Sequence, residues 1–449
     1  MRNILWLLVG LSLLVRGATL YLQRASLDAD PDAYRQIAEN LRQTGVYSLK
    51  HESGSVHPTA FRPPLYPWLI AVLAPTDASV TSALFALHLL LGTSTVLLTY
   101  GIARKLLASE ALAILAALIV LCDPILLRQQ ALVMTETLAT FLAALLIFVA
   151  VQYEATSQNR IRRIALVVLL GILFGLAILC RPTFLPWLAL VAMLLLWQLI
   201  FGSITGNSRR QTVAELVLVA STSMLVLCPW VLQNYVQFHR VVVTTTHGGY
   251  TLLLGNNEEY YQHLATSTSP VPWKSDRLDA QLRELAEQQT LRREDQRVIM
   301  AAVPQQRGEA IMPLEMAMDR HCRDLAIQTM RDNPAGLVRA TLHRWWQLIS
   351  PLPHQLVENE SLAAQLARYA VAVWYTCLAG LAIVGLWKLI RDGRYRQFSW
   401  LLALLLPLSL LAIHTFYWTN LRMRAPAMPV AALVAVAALS WPSRASVKS

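Results

Sequence analysis

The chain has 449 residues, of which 55% are hydrophobic and only 14% charged, and its mean hydropathy is +0.45. Soluble domains carry about a quarter charged residues, so this composition excludes both an ordinary cytosolic enzyme and a disordered chain. The net charge of +11 points either to nucleic acid, although no basic block or recognisable module accompanies it, or to the basic cytoplasmic loops of a polytopic membrane protein.

Apolar runs of the length needed to cross a bilayer occur ten times, at about 3–22, 78–103, 109–125, 135–153, 164–181, 183–202, 212–232, 365–389, 398–418 and 425–441. The first lacks a small-residue cleavage site and reads as an uncleaved anchor. Alternate loops hold Arg104 and Lys105, then Arg160, Arg162 and Arg163, then Arg209 and Arg210, then Lys388, Arg391, Arg394 and Arg396. With Arg2, Arg444 and Lys448, that side has 14 basic residues against Glu110, Glu154 and Asp392. By the positive-inside rule it is cytoplasmic, with both termini inside. The remainder balances at 24 charges of each sign, so the +11 is an orientation signal. The expected fold is therefore an α-helical polytopic membrane protein of about ten transmembrane helices. A transmembrane module (1–232) precedes a mostly helical outer region (233–360), followed by C-terminal membrane helices (361–449).

The first outer loop, 24–64, opens Leu27-Asp28-Ala29-Asp30-Pro31-Asp32-Ala33-Tyr34. Tyr34, Ile37, Ala38 and Leu41 then follow at helical spacing, predicting an amphipathic helix in the membrane interface. Asp30 before Pro31 suits an N-cap as well as it suits catalysis. Arg62-Pro63-Pro64-Leu65-Tyr66-Pro67 follows, where the arginine either binds an anion or snorkels to lipid phosphate. Glu136 at the start of the fourth span is a functional candidate or a residue placed by the helix dipole. Asp123 before Pro124 reads as a turn cap.

In the outer region, β-branched Val241–Thr246 predicts a strand, turned by Gly248-Gly249 into a second at Tyr250–Leu254. Asn333-Pro334 predicts a helix start. With 13 basic and 15 acidic residues, this region has no field to draw nucleic acid. His247, His321, His343 and His354 lack metal-ligand spacing, and the five cysteines form no framework. Trp345-Trp346 reads as an interfacial anchor. Arg181, Arg422 and Arg424 stand with Arg62 on the outer side, against the positive-inside trend, which suggests phosphate or pyrophosphate recognition.

Taken together, these residues resemble the GT-C class of polytopic glycosyltransferases, in the bacterial branch grouping protein mannosyltransferases with the lipid A aminoarabinose transferase. The resemblance runs nearly end to end. It comprises D-x-x-x-Y at Asp30 to Tyr34, Ala38-Glu39-Asn40-Leu41, Gly45-Val46-Tyr47-Ser48 and Arg62 to Pro67. It continues through Thr135-Glu136, Gly175-Leu176-Ala177 before Arg181-Pro182, and Pro229-Trp230 leading to Asn234-Tyr235. Gly248-Gly249-Tyr250 through Asn257 and Arg422-Met423-Arg424-Ala425-Pro426 complete it. Two positions depart: Gln233 stands where relatives often have arginine, and Met423 replaces a common aromatic residue.

The resemblance implies an inverting enzyme of the inner membrane that transfers a sugar from a polyprenyl-phosphate carrier to a lipid or protein acceptor at the outer face. It implies Asp30 as base, Asp32 and Glu136 as further catalytic acids, and Arg62, Arg181, Arg422 and Arg424 on phosphate. Tyr34 and Tyr66 fall in its substrate-binding motifs. No cofactor follows from the residues, and a divalent cation is left open. The competing readings are an O-antigen ligase-like transferase using a pyrophosphate-linked glycan, and a lipid or solute transporter.

Overall fold

The computed structural model describes residues 2–50, 56–156, 159–201, 208–267, 269, 271–302, 314–355 and 357–440. The chain begins with α1 (Arg2–Leu22), α2 (Tyr34–Thr44), a two-stranded antiparallel ribbon of β1 (Ser48–Lys50) and β2 (Val56–Pro58), and α3 (Leu65–Leu73). Next come α4 (Val80–Leu107), α5 (Glu110–Leu121), α6 (Pro124–Gln129), α7 (Glu136–Glu154), α8 (Arg160–Cys180), α9 (Phe184–Phe201) and α10 (Arg209–Phe238). The hydrophilic region supplies α11 (Gly248–Gly255), α12 (Glu258–Thr266), α13 (Asp276–Ala302), α14 (Leu314–Asp332) and α15 (Pro334–Ile349). α16 (Leu362–Arg391), α17 (Phe398–Ile413) and α18 (Met428–Ala437) return to the apolar bundle.

Each of the ten expected spans has a helix. Among the described residues seven are long and apolar enough to cross a membrane: α1, α4 with its preceding turn, α7 to α10, and α16. The other three fall short. The 12 residues of α5 reach about 18 Å at 1.5 Å per residue, against a hydrocarbon core of about 30 Å. The chain breaks there because Asp123 and Pro124 start α6, with Asp123 Oδ1 accepting from Leu126 N at 2.9 Å. α18, 10 residues long, follows a 3-10 turn over Leu421–Ala427.

Burial ranks the helices. The apolar window of α7 is 78% buried, whereas those of α10 and α16 are 17% buried, so α7 is the hub that carries Glu136. The outer faces of α10 and α16 are left to lipid. α8 and α10 approach closely because Gly171 and Gly175 present no side chain: a Cβ on Gly171 would stand 1.8 Å from Thr222 Oγ1, and one on Gly175 2.7 Å from Val226 Cβ. This is the small-xxx-small contact of membrane helices.

The loop helix α2 forms as expected, but its apolar face does not look outward. Tyr34, Ile37 and Ala38 are buried in the main core with Tyr66 and Ile70 of α3. The two strands expected at 241–246 and 250–254 are absent from these residues. Segment 241–246 bends at Val243, Thr244 and Thr246 and has no strand partner; two of its carbonyls are taken by side chains, Asn234 Nδ2 donating to Val242 O at 3.1 Å and Trp230 Nε1 to Thr244 O at 2.8 Å. Tyr250–Leu254 is helical within α11, which lies against α14 with Gly249 at the contact. A Cβ there would meet Asp319 O at 1.9 Å. The Asn333 cap is present, accepting from Gly336 N at 2.8 Å.

Candidate active site

The three acids of the first loop have separate partners. Asp28 is tied to the start of α4, accepting from Thr81 Oγ1 at 2.5 Å and from Arg35 at 3.4 Å. Asp30 caps α2 from outside the helix: its Oδ2 accepts from Gln36 N at 2.9 Å. Its Oδ1 is buried and has no hydrogen-bond partner among the described residues. Asp32 pairs with Arg62, whose Nη2 lies 2.7 Å from Oδ1 while Nε donates to the Asp32 carbonyl at 3.0 Å. Between these acids and α2, Ala33 adopts φ +59°, a left-handed conformation that costs a non-glycine residue about 1–2 kcal/mol. The turn that aims both carboxylates is therefore strained.

Arg62 is held from several sides. Tyr47 Oη donates to the Arg62 carbonyl at 3.0 Å, and the guanidinium lies over the Phe61 and Tyr34 rings at 4.9 and 5.6 Å. Tyr47 and Trp68 pack edge-on against Trp230 of α10. The ribbon motif and the Pro-Trp motif thus brace the same arginine.

Across the site, Glu136 is 3% exposed and faces two cations: Arg181 Nη1 at 3.0 Å and Arg422 Nε at 3.5 Å. One buried carboxylate against two guanidiniums leaves a net positive charge. Met423, the departure between the terminal arginines, places its sulfur 2.8 Å from Arg181 Nη2, and Met134 contacts Arg422. Thioethers are weak acceptors, so both arginines keep donor capacity. Gln233 is exposed on α10, beside the buried Asn234.

Tyr34 and Tyr66 join the two charge groups. Their rings meet edge-on at 5.2 Å. Tyr34 lies within the fields of Arg62, Asp32, Glu136 and Arg181, and Tyr66 within those of Glu136 and Asp30. Burial pushes both phenols up, so they stay protonated. Tyr66 Oη lies 2.8 Å from His88 Nε2, and His88 Nδ1 lies 2.6 Å from the Gln130 carbonyl. Gln130 Oε1 in turn accepts from the buried Arg16 at 2.9 Å. Arg16 is thereby occupied inside the bundle.

Arg424 points elsewhere. It stacks on Tyr375 at 4.2 Å and donates to the carbonyls of Leu348 and Ser350 at 3.2 and 2.7 Å. Tyr375 donates to Asp123 at 3.0 Å. Arg424 Nε and Nη2 are buried without partners among the described residues. The structure therefore brings Asp30, Asp32, Tyr34, Arg62, Tyr66, Glu136, Arg181 and Arg422 into one neighbourhood, with Arg424 in an adjoining one.

Two supporting residues escape sequence reasoning. Glu315 of α14 is half-buried against the first loop. It accepts from Thr59 Oγ1 at 2.7 Å, from Ala60 N at 2.9 Å and from Thr246 Oγ1. Arg344, fully buried, donates to the carbonyls of His414, Gly255 and Thr415 and so ties α15 and α11 to the segment before Arg422. Their signal is a charged residue on an otherwise apolar helical face, which also describes many solvated positions. No group of three or more His, Cys, Asp or Glu side chains suited to a metal occurs among the described residues.

Residues 63–243 match the family model of dolichyl-phosphate-mannose-protein mannosyltransferase. The fold is shared with a solved oligosaccharyltransferase. The apo oligosaccharyltransferase of Archaeoglobus fulgidus overlays with a TM-score of 0.55 at 15% identity, covering 98% of this chain and 50% of that one. The same enzyme tethered to an acceptor peptide containing the NVT sequon gives 0.56 at 14% identity, with 98% and 49% covered. Its complex with an inhibitory peptide and a dolichol-phosphate gives 0.53 at 14% identity, with 98% and 50% covered. The chain thus spans about half the length of these structures. No curated protein matches it in sequence.

Proposed function

We propose that the chain is an integral membrane glycosyltransferase moving a sugar from a polyprenyl-phosphate carrier to a lipid or protein acceptor. The observation that carries this reading is the pairing of a carboxylate with one unpartnered buried oxygen, Asp30, with a cluster of net positive charge at Glu136, Arg181 and Arg422. The dolichol-phosphate held by the archaeal structural relative supports a lipid-phosphate donor.

The residues divide the chemistry. Asp30 Oδ1 takes the proton of the acceptor nucleophile, whose oxygen forms the new bond at the anomeric carbon. The bond from that carbon to the carrier phosphate breaks, and its electron pair leaves on the phosphate oxygen. Arg181 and Arg422, with Arg424 adjoining, stabilise that charge in a site shielded from water. Glu136 holds the two arginines apart and oriented. Asp32 and Arg62 fix the loop, and Tyr34 and Tyr66 wall the sugar. Attack opposite the leaving phosphate inverts the anomeric centre.

In this reading 1–232 and 361–449 form the membrane module and 233–360 an outer region. Both termini face the cytoplasm, and the loops lie on the far side of an inner membrane, as the basic residues of alternate loops support. The test is transfer by purified protein in nanodiscs from a radiolabelled polyprenyl-phosphate sugar. Transfer at the wild-type rate by Asp30→Asn would overturn the assigned mechanism.

A further inference from the structure

The hydrophilic region contains a cavity of about 330 Å³ between the loop after α10 and the face of α14. This is large enough for a small ligand. Its walls include Arg240, Thr244, Thr245, Asp319, Arg320 and Arg323. Asp319 is already engaged, accepting from Gly249 N at 2.6 Å and from Arg323 at 2.9 Å. Arg240 and Arg320 have no ion-pair or hydrogen-bond partner among the described residues, and neither have the hydroxyls of Thr244 and Thr245. The amide N–H groups of 241–245 have no backbone acceptor among those residues. The cavity therefore holds a surplus of donors with two unneutralised positive charges and no free carboxylate.

The wall is preformed. Trp230 and Asn234 hold its carbonyls from α10, and Thr246 N donates to Ala60 O at 3.0 Å. Two guanidiniums and two hydroxyls, beside amides that have no backbone acceptor among the described residues, match an anion with several acceptor oxygens. The cavity starts two residues past the end of apolar α10. It ends at Thr246, which shares Glu315 with Thr59 and Ala60, two residues from Arg62. An anion bound there lies between the end of a membrane helix and the loop that carries Asp30 and Asp32.

We propose that this cavity is a second anion site, separate from the arginines at Glu136, that takes a phosphate monoester on a saccharide or lipid headgroup and holds the acceptor beside the first loop. The acceptor role rests on the transferase reading; the binding does not.

The test therefore reads binding. Full-length protein in phosphatidylcholine nanodiscs is titrated with glucose 1-phosphate, inorganic phosphate and glucose, following ³¹P line width for the phosphates and ligand proton relaxation for glucose. Glucose 1-phosphate should bind and glucose should not. The double variant Arg240→Gln/Arg320→Gln should weaken binding by about tenfold or more, since both charge-assisted donors to the phosphate are lost. Arg240→Lys/Arg320→Lys, which keeps the charge, should recover part of it. Arg339→Gln, an exposed arginine of α15 outside the cavity, should bind as wild type. If the double glutamine variant binds as wild type, or Arg339→Gln loses as much, the site is refuted. Including phosphatidate in the nanodisc separates the sources: competition assigns a lipid headgroup, and its absence a soluble phosphate. Loss of binding in the double variant with transfer intact would refute the acceptor role alone, whereas Asp30→Asn tests the transferase reading on its own.

Discussion

Tyr66 donates its hydroxyl hydrogen to Nε2 of His88, and the direction of that bond is fixed. His88 Nδ1 faces the Gln130 carbonyl at 2.6 Å, and a carbonyl only accepts, so Nδ1 carries the proton. In the neutral ring Nε2 is then the acceptor for Tyr66 at 2.8 Å. Both side chains are fully buried, so removing either partner strands the other. Tyr66→Phe and His88→Leu should each lower stability by about 1–3 kcal/mol, and the double variant should lose less than the sum. Thermal melts in detergent provide the cycle; strict additivity would show that the pair is not coupled.

Asp30 performs two tasks that one substitution separates. Asparagine keeps a side-chain oxygen for Gln36 N but cannot take a proton. Asp30→Asn should melt within about 0.5 kcal/mol of wild type, while transfer falls about 10²- to 10⁴-fold. Asp30→Ala should lose about 1 kcal/mol more through the missing cap. Equal melting losses in both variants would mean that the cap contributes nothing.

Among the described residues, Glu136 is the only carboxylate paired with Arg181 and Arg422. Glu136→Gln leaves two guanidiniums facing each other in a buried site and should destabilise the protein by about 3–5 kcal/mol. Adding Arg181→Met should restore part of that stability without restoring transfer. Should the single variant melt as wild type, the cluster is more hydrated than its burial indicates.

Two half-buried groups outside the spans impose opposite pH slopes. Burial lowers the His247 imidazole to about 3, so the folded protein resists a proton that the unfolded chain takes below 6.5. Its contribution to stability is present above 6.5 and is lost as pH falls toward 3. Burial raises the Glu315 carboxyl, so its contribution is full below 4.5 and is lost as pH rises through the raised value. Comparing wild type with His247→Phe and with Glu315→Gln across pH 3 to 8 isolates each slope. Difference curves that are flat, or that slope the other way, would contradict these assignments.

The glycines of α8 set a packing distance. Gly171→Leu puts a side chain where Thr222 Oγ1 would be 1.8 Å from its Cβ. It should separate α8 from α10 and cost more than the typical 1–3 kcal/mol of overpacking. Gly10, with open space around it, should accept alanine without loss. Melting of the two variants side by side checks this.

Sequence reasoning finds what repeats locally and misses what closes at a distance. The spans are legible because a bilayer demands long apolar runs, and α2 is legible from the spacing of Tyr34, Ile37, Ala38 and Leu41. The caps at Asp123 and Asn333 are readable because their partners lie three residues away. Glu315 is not, since its bonds to Thr59 and Ala60 cross 256 and 255 residues. β-Propensity misleads at 241–246, where side chains of α10 take the bonds that a neighbouring strand would offer. The pairing of Arg62 with Asp32, rather than an open arginine, is likewise a product of tertiary placement.

The order of the chain gives the site a schedule. Asp30 and Asp32 are made first, Glu315, which clasps their loop, much later, and Arg422, which completes the charge at Glu136, last. A ribosome-bound chain that already displays its carboxylates has neither the clasp nor the second cation. Competence then arrives in one step, with the insertion of the last helices, so a chain truncated before Leu421 would be an inserted membrane protein with no working site.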